Sequence, residues 1–136
     1  TVLKSNPEAS NLHHLLGDVY YRKNEMDLAA KEYLEAMALD SENAQLYLKL
    51  GMVYKETDSV KAIKEFEEAL RIEPDFADAH YQLGLIYNEL GDIGNAVKEL
   101  KIALEMNPDY ADARYILGLS NYHNGDLKGA LNEFKE

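Results

Sequence analysis

Between Ala77 and Tyr110 the apolar and small residues fall into two helical stripes separated by polar positions. The first puts His80, Leu83, Gly84 and Tyr87 on one face. The second puts Ala96, Leu100 and Ala103 on one face, at spacings of four and three. Gly91 stands just past the first stripe, where a left-handed C-cap is wanted. Pro108 cannot extend the second stripe and stops it. The unit then restarts, Ala77-Asp78-Ala79 being echoed by Ala111-Asp112-Ala113. Read this way throughout, the chain is all-α, with helices over 10–23, 27–40, 44–56, 59–72, 77–90, 93–106, 111–124 and 127–136.

The echo has a fixed interval. Gly84 and Gly118 are 34 residues apart, as are Pro74 and Pro108, and Ala62, Ala96 and Ala130 keep the same step. Gly17 and Gly51 repeat it at the start of the chain. A period of this size indicates a stacked array in which each unit buries its apolar face against its neighbours. The first repeat reads His13, Leu16, Gly17, Tyr20, then Ala29, Tyr33 and Ala36. The second reads Tyr47, Leu50, Gly51, Tyr54, then Ala62, Phe66, Ala69 and Pro74; the third, His80, Leu83, Gly84, Tyr87, then Ala96, Leu100, Ala103 and Pro108. The fourth reads Arg114, Leu117, Gly118, Asn121, then Ala130 and Phe134.

This unit resembles the tetratricopeptide repeat, whose pattern is W-x2-L-G-x2-Y, then A-x3-F, then P. The resemblance covers the whole chain and implies a right-handed α-solenoid of about four stacked helix-turn-helix repeats. Their expected spans are 10–43, 44–76, 77–110 and a truncated 111–136, with 1–9 as the tail of a preceding repeat. The departures are specific. No repeat has the family's tryptophan, Asn121 replaces its tyrosine, and Ser41 stands where proline is usual. Gly51 to Gly84 is one residue short of the period, and Glu56-Thr57-Asp58-Ser59 lacks glycine, so a shorter inter-helix turn is expected there. The chain begins at Thr1, and Leu127, Ala130, Leu131 and Phe134 form an apolar face with nothing after it. Both ends are expected to be cut from a longer array, and uncapped ends are candidates for self-association.

The 136 residues, 46% of them hydrophobic, suffice for a folded domain. The net charge of −11 repels phosphate backbones, so nucleic acid is not expected as a partner. There is no cysteine, hence no disulfide framework or thiolate chemistry. No apolar run approaches the ~18 residues of a membrane span.

Catalytic chemistry finds little to work with. Gly17, Gly51, Gly84 and Gly118 sit mid-helix, where glycine costs up to about 1 kcal/mol relative to alanine. Close approach of the paired helix, with Ala29, Ala62, Ala96 and Ala130 facing, is the expected compensation. Gly91-Asp92-Ile93-Gly94 has neither a preceding strand nor a following Lys-Ser or Lys-Thr, so it is read as a turn rather than a phosphate loop. His13 and His80 hold the repeat's large-residue position and are expected to be half-buried packing residues. His13 and His14 lie about 100° apart on a helix and cannot easily share one metal. Glu65, Glu67, Glu68, Glu99 and Glu133 alternate with lysines and are read as a solvated, ion-paired face. No enzyme activity, cofactor or metal is expected.

A second stripe on the first helix of each repeat (helix A) remains, about 140° round from the Leu-Gly-Tyr stripe. It holds Asn11, His14, Asp18, Tyr21 and Arg22 in the first repeat, and Gln45, Leu48, Met52 and Lys55 in the second. In the third it holds Asp78, Tyr81, Leu85, Asn88 and Glu89, and in the fourth Asp112, Tyr115, Leu119, Tyr122 and His123. The resemblance implies that this face lines a concave groove holding a peptide or helix. Leu48, Met52, Tyr81, Leu85, Tyr115, Leu119 and Tyr122 would make that groove apolar and tyrosine-rich, as binding surfaces are. The lysine-asparagine-arginine clamp of one subfamily is absent: its places hold His14, Asp18, Lys49, Asp78 and Gln82. The expected ligand is therefore an apolar or amphipathic segment, with Lys or Arg opposite Asp18, Asp78, Glu89 and Asp112. A self-assembling structural array and an accessory module of a larger enzyme are the alternatives to a non-catalytic interaction scaffold.

Overall fold

The computed structural model describes residues 7–123. Among them lie seven helices and no strand: α1 (Pro7–Arg22), α2 (Met26–Leu39), α3 (Ala44–Tyr54), α4 (Ser59–Ile72), α5 (Ala77–Glu89), α6 (Ile93–Met106) and α7 (Ala111–His123). The eighth expected helix, 127–136, lies outside the described residues, as do Leu127, Ala130, Leu131 and Phe134. The described residues fall into two compact units, one ending at Pro74 and the other beginning at Asp75. In the first, α1 packs on α2, α2 on α3, and α3 on α4; in the second, α5 packs on α6, and α7 on both.

Local chemistry sets the boundaries. The side chains of Asn43, Asp58 and Asp92 accept from the amides of Gln45, Lys61 and Asn95, capping α3, α4 and α6. Gly91 follows α5 with φ +83°, the expected left-handed position, and Asn24 does the same after α1 at φ +63°. Two boundaries differ from expectation. Helix α1 begins at Pro7 rather than Ser10, because proline is tolerated in a first turn whose amides need no intrahelical partner. Ser10 is then buried inside the helix, its Oγ donating to the Ala36 carbonyl at 3.1 Å. In the second repeat the missing residue shortens the helix and not the turn: α3 has 11 residues against 13 in α5. With no residue there at positive φ, the chain leaves α3 after Tyr54, whose carbonyl accepts from the Thr57 and Asp58 amides.

The core follows the repeat pattern. In the first unit Ala29, Tyr33 and Ala36 of α2 pack with Leu46, Leu50 and Val53 of α3, flanked by Tyr20, Tyr21 and Tyr54. In the second, Leu100 and Ala103 of α6 pack with Ala113 and Leu117 of α7, flanked by Tyr81 and Tyr110. Each fully buried leucine contributes roughly 1.5–3 kcal/mol. The mid-helix glycines mark close approaches, and their nearest neighbours are the large residues of the second helix, with the Ala96 carbonyl following at 3.5 Å from a Cβ on Gly84. A Cβ on Gly17 would meet the Tyr33 ring at 2.5 Å, one on Gly51 the Phe66 ring at 2.5 Å, and one on Gly84 the Leu100 side chain at 2.7 Å. Glycine is thus what lets an aromatic or leucine side chain cross the helix axis.

Candidate functional site

On the first unit, the second stripe of α1 meets α3 across Tyr33 of α2. Tyr33 is buried, and its hydroxyl donates to Asp18 Oδ1 at 2.5 Å. Lys49 Nζ donates to the same oxygen at 3.0 Å. Burial works to raise the Asp18 pKa, but the hydrogen bonds from Tyr33 and Lys49 outweigh it and hold the carboxyl below its ordinary value. The Tyr33 hydroxyl is pushed far above the usual phenol range, by burial first and by Asp18 second. His14 lies edge-on to Tyr33, with Nε2 3.9 Å from Asp18 Oδ2. Burial lowers its pKa; Asp18 opposes that and Lys49 reinforces it. Beside this network is a pocket of about 100 Å³ lined by Asp18, Tyr21, Arg22, Tyr33, Lys49 and Met52. It offers an apolar wall from Tyr21 and Met52 with cationic side chains beside it. Arg22 has no ion-pair partner among the described residues.

Of the stripe residues, Asp18, Tyr21, Arg22 and Met52 line this one pocket. His14 instead lines a neighbouring hollow with Pro7, Glu8, Ser10, Asn11, Asp40 and Asn43. Lys55 is the C-cap residue of α3. Leu48 is corrected: at 4% exposure it is core and offers a ligand almost no area. Tyr33, a repeat core position, was not expected at the site; its hydroxyl ties Asp18 to the core there.

On the second unit the stripe runs along α5 and α7. Tyr115 and Tyr122 are 57% and 56% exposed, with half-buried Leu119 between them in sequence. Tyr122 lies edge-on to His123. Tyr81 is different: it packs on the unit's core and lies 4.9 Å from the Tyr110 ring. Burial, then Asp112, raises its pKa. Leu85 is half-buried, and Asn88 Oδ1 accepts from the buried Ser120 Oγ at 2.9 Å, tying α5 to α7. Two acids expected to await a partner's cations already have partners: Asp18 has Tyr33 and Lys49, and Asp78 accepts from the Tyr110 hydroxyl at 2.7 Å.

The carboxylate face of the second helices also differs from expectation. His80 Nδ1 sits 2.7 Å from Glu99 Oε1, and His13 Nδ1 sits 2.7 Å from Glu32 Oε1 and 3.4 Å from Glu35 Oε2. Among the described residues Glu68 pairs with Arg71 and Glu99 with His80, and Glu133 lies outside them. His13 and His80 are half-buried packing residues, as expected, but they are also hydrogen-bonded across their helix pairs. The signal for this was available: both contacts join residues 19 apart.

Residues 17–58 and 61–91 match a family described as "TPR repeat", and residues 89–136 match one described as "Tetratricopeptide repeat". No curated protein sequence matches the chain. Among solved structures, the crystal structure of MamA is similar at 27% identity and TM-score 0.85, over 98% of this chain and 79% of that one. The first TPR of Spaghetti (RPAP3), bound to the HSP90 peptide SRMEEVD, is 18% identical at TM-score 0.84, over 90% and 98%. YrrB, described as a TPR protein with an unusual peptide-binding site, is 23% identical at TM-score 0.76, over 93% and 66%.

Proposed function

Because this chain belongs to the tetratricopeptide-repeat family, we propose that it is a non-catalytic protein-interaction scaffold whose helix-A faces hold a peptide or helical segment of a partner. The observation that carries this reading is the pair of exposed tyrosines on α7, Tyr115 and Tyr122, two helical turns apart with Leu119 between them. Both rings are more than half exposed, and large amphipathic rings are what protein interfaces favour. The pocket at Tyr21, Arg22 and Met52 is a second contact point on the first unit. Peptide capture by RPAP3 and YrrB supports the same use of the fold here.

The ligand is an apolar or amphipathic segment. An acidic tail is disfavoured by the net charge of −11 and by an Asp18 that already occupies Lys49. Exposed Glu89 and Asp112 favour basic residues flanking the ligand's apolar core. Helices need little reorganisation to bind, so a short segment should bind at roughly micromolar strength, about −8 kcal/mol.

The test uses a partner isolated by pull-down and identified by mass spectrometry. Tyr115→Ala with Tyr122→Ala should weaken it by roughly tenfold or more, since a few aromatic anchors dominate such energies. Tyr81 is left intact because its ring belongs to the core. Glu67→Ala with Lys98→Ala, on exposed positions of α4 and α6, should leave affinity unchanged. Loss of binding in the second pair with retention in the first would place the partner on the opposite side.

A further inference from the structure

We propose that His13, Glu32 and Glu35 form a binding site for a divalent transition cation, of which zinc is the fitting example. The three side chains come from two helices, α1 and α2, and their ligand atoms all lie within 4.8 Å of one another. The donor set is one imidazole nitrogen and two carboxylates. Zinc binds such atoms at about 2.0–2.2 Å and takes three protein ligands plus one open position. The imidazole favours zinc-like ions over magnesium or calcium, which prefer all-oxygen sites. Two carboxylates also neutralise the dication.

The electrostatics point the same way. Two carboxylates converge on one imidazole, and no lysine or arginine pairs with either of them among the described residues. Glu32 is 15% exposed and His13 27%, while Glu35 at 47% leaves a way in for the ion. Seating the ion requires that the 2.7 Å contact between His13 and Glu32 open, that the ligand atoms now up to 4.8 Å apart draw in to roughly 3.4 Å, the spacing of a tetrahedral zinc shell, and that Nδ1 give up any proton to Nε2 or to solvent.

The neighbouring repeats separate a packing contact from a site. In the third repeat His80 and Glu99 reproduce the 2.7 Å pair, but Ile102 stands where Glu35 does. A histidine-glutamate bond across the helix pair is therefore sufficient for packing and needs no third acid. In the second repeat Glu65 and Glu68 keep both carboxylates, but Tyr47 replaces the histidine and Arg71 pairs with Glu68. Only the first of these three repeats combines all three donors. A bound ion would cross-brace α1 and α2.

Zinc titrated into the untagged chain, in competition with a chromophoric chelator, tests this. The parent should bind one equivalent. Glu35→Gln, a nearly isosteric change at a half-exposed position, should weaken binding by at least the roughly 10–100-fold seen when even an outer partner of a metal ligand is lost. His13→Gln should do the same, with circular dichroism verifying its fold, and Glu99→Gln should leave affinity and stoichiometry unchanged. Cobalt should give visible d–d bands that Glu35→Gln abolishes. Equal zinc affinity in the parent and Glu35→Gln would overturn the assignment. So would weak multi-site uptake that Glu35→Gln and Glu99→Gln reduce alike, since that is surface carboxylate binding.

Discussion

Replacing Gly51 with alanine measures how tightly the helices of the second repeat are packed. The new Cβ would lie 2.5 Å from Cε1 and 2.7 Å from Cδ1 of Phe66, a ring with 0% exposure. Carbon atoms normally approach to about 3.5–4.0 Å, so the ring or a helix must move by roughly 1 Å. Overpacking of this kind costs about 1–3 kcal/mol. Alanine recovers about 1 kcal/mol of helix propensity over glycine, so the net loss should be about 0–2 kcal/mol. Gly94→Ala supplies the reference, because a Cβ there meets nothing within 4 Å and the position is exposed in α6. It stands in the first turn of α6, so it should gain at most that propensity, up to about 1 kcal/mol, without the clash. Gly51→Ala should therefore fall below Gly94→Ala by up to the packing cost of about 1–3 kcal/mol. Urea unfolding followed by far-ultraviolet circular dichroism reads both variants against the parent. If Gly51→Ala is as stable as Gly94→Ala, Phe66 does not pin the helix pair and the close-approach reading of this glycine fails.

Gly91→Ala, only three residues before Gly94, should destabilise by about 1–2 kcal/mol through its left-handed φ alone, although no atom blocks its side chain; unfolding curves of the two variants should move in opposite directions. Asp18→Asn should cost roughly 1–3 kcal/mol at neutral pH, because Tyr33 and Lys49 lose a charged acceptor. Since the folded pKa of Asp18 lies below its ordinary value, its stabilisation is present above the unfolded pKa and lost as pH falls through the folded one. Acid titration of stability below about pH 4 should therefore be shallower in Asp18→Asn than in the parent.

Much of the fold could be read from the chain because the repeat interval fixes which positions are equivalent. Starts at Ala44, Ser59, Ala77, Ile93 and Ala111 were legible from small residues, caps and prolines. The start of α1 was not, because Pro7 reads equally as the end of one helix or the first turn of the next. The site was legible as a face but not residue by residue. A helical wheel gives direction, and burial depends on what the neighbouring helix supplies: Leu48 and Tyr115 hold equivalent places in the stripe, yet the first is core and the second exposed. The charge network at Asp18 and the cluster at His13 join residues on different helices, so no spacing along one helix reveals them. Comparing the same position across repeats does, because it shows where Ile102 or Tyr47 interrupts a constellation that the first repeat completes.

The most direct measurement of where a partner binds is amide chemical-shift mapping of the isotopically labelled chain during titration with the partner recovered by pull-down. The perturbed amides should cluster on α7 around Tyr115, Leu119 and Tyr122, with a second group at Tyr21, Arg22 and Met52. Amides around Glu67 on α4 and Lys98 on α6 should remain in place. Perturbations confined to α4 and α6, with α7 unmoved at saturation, would contradict binding on the helix-A faces.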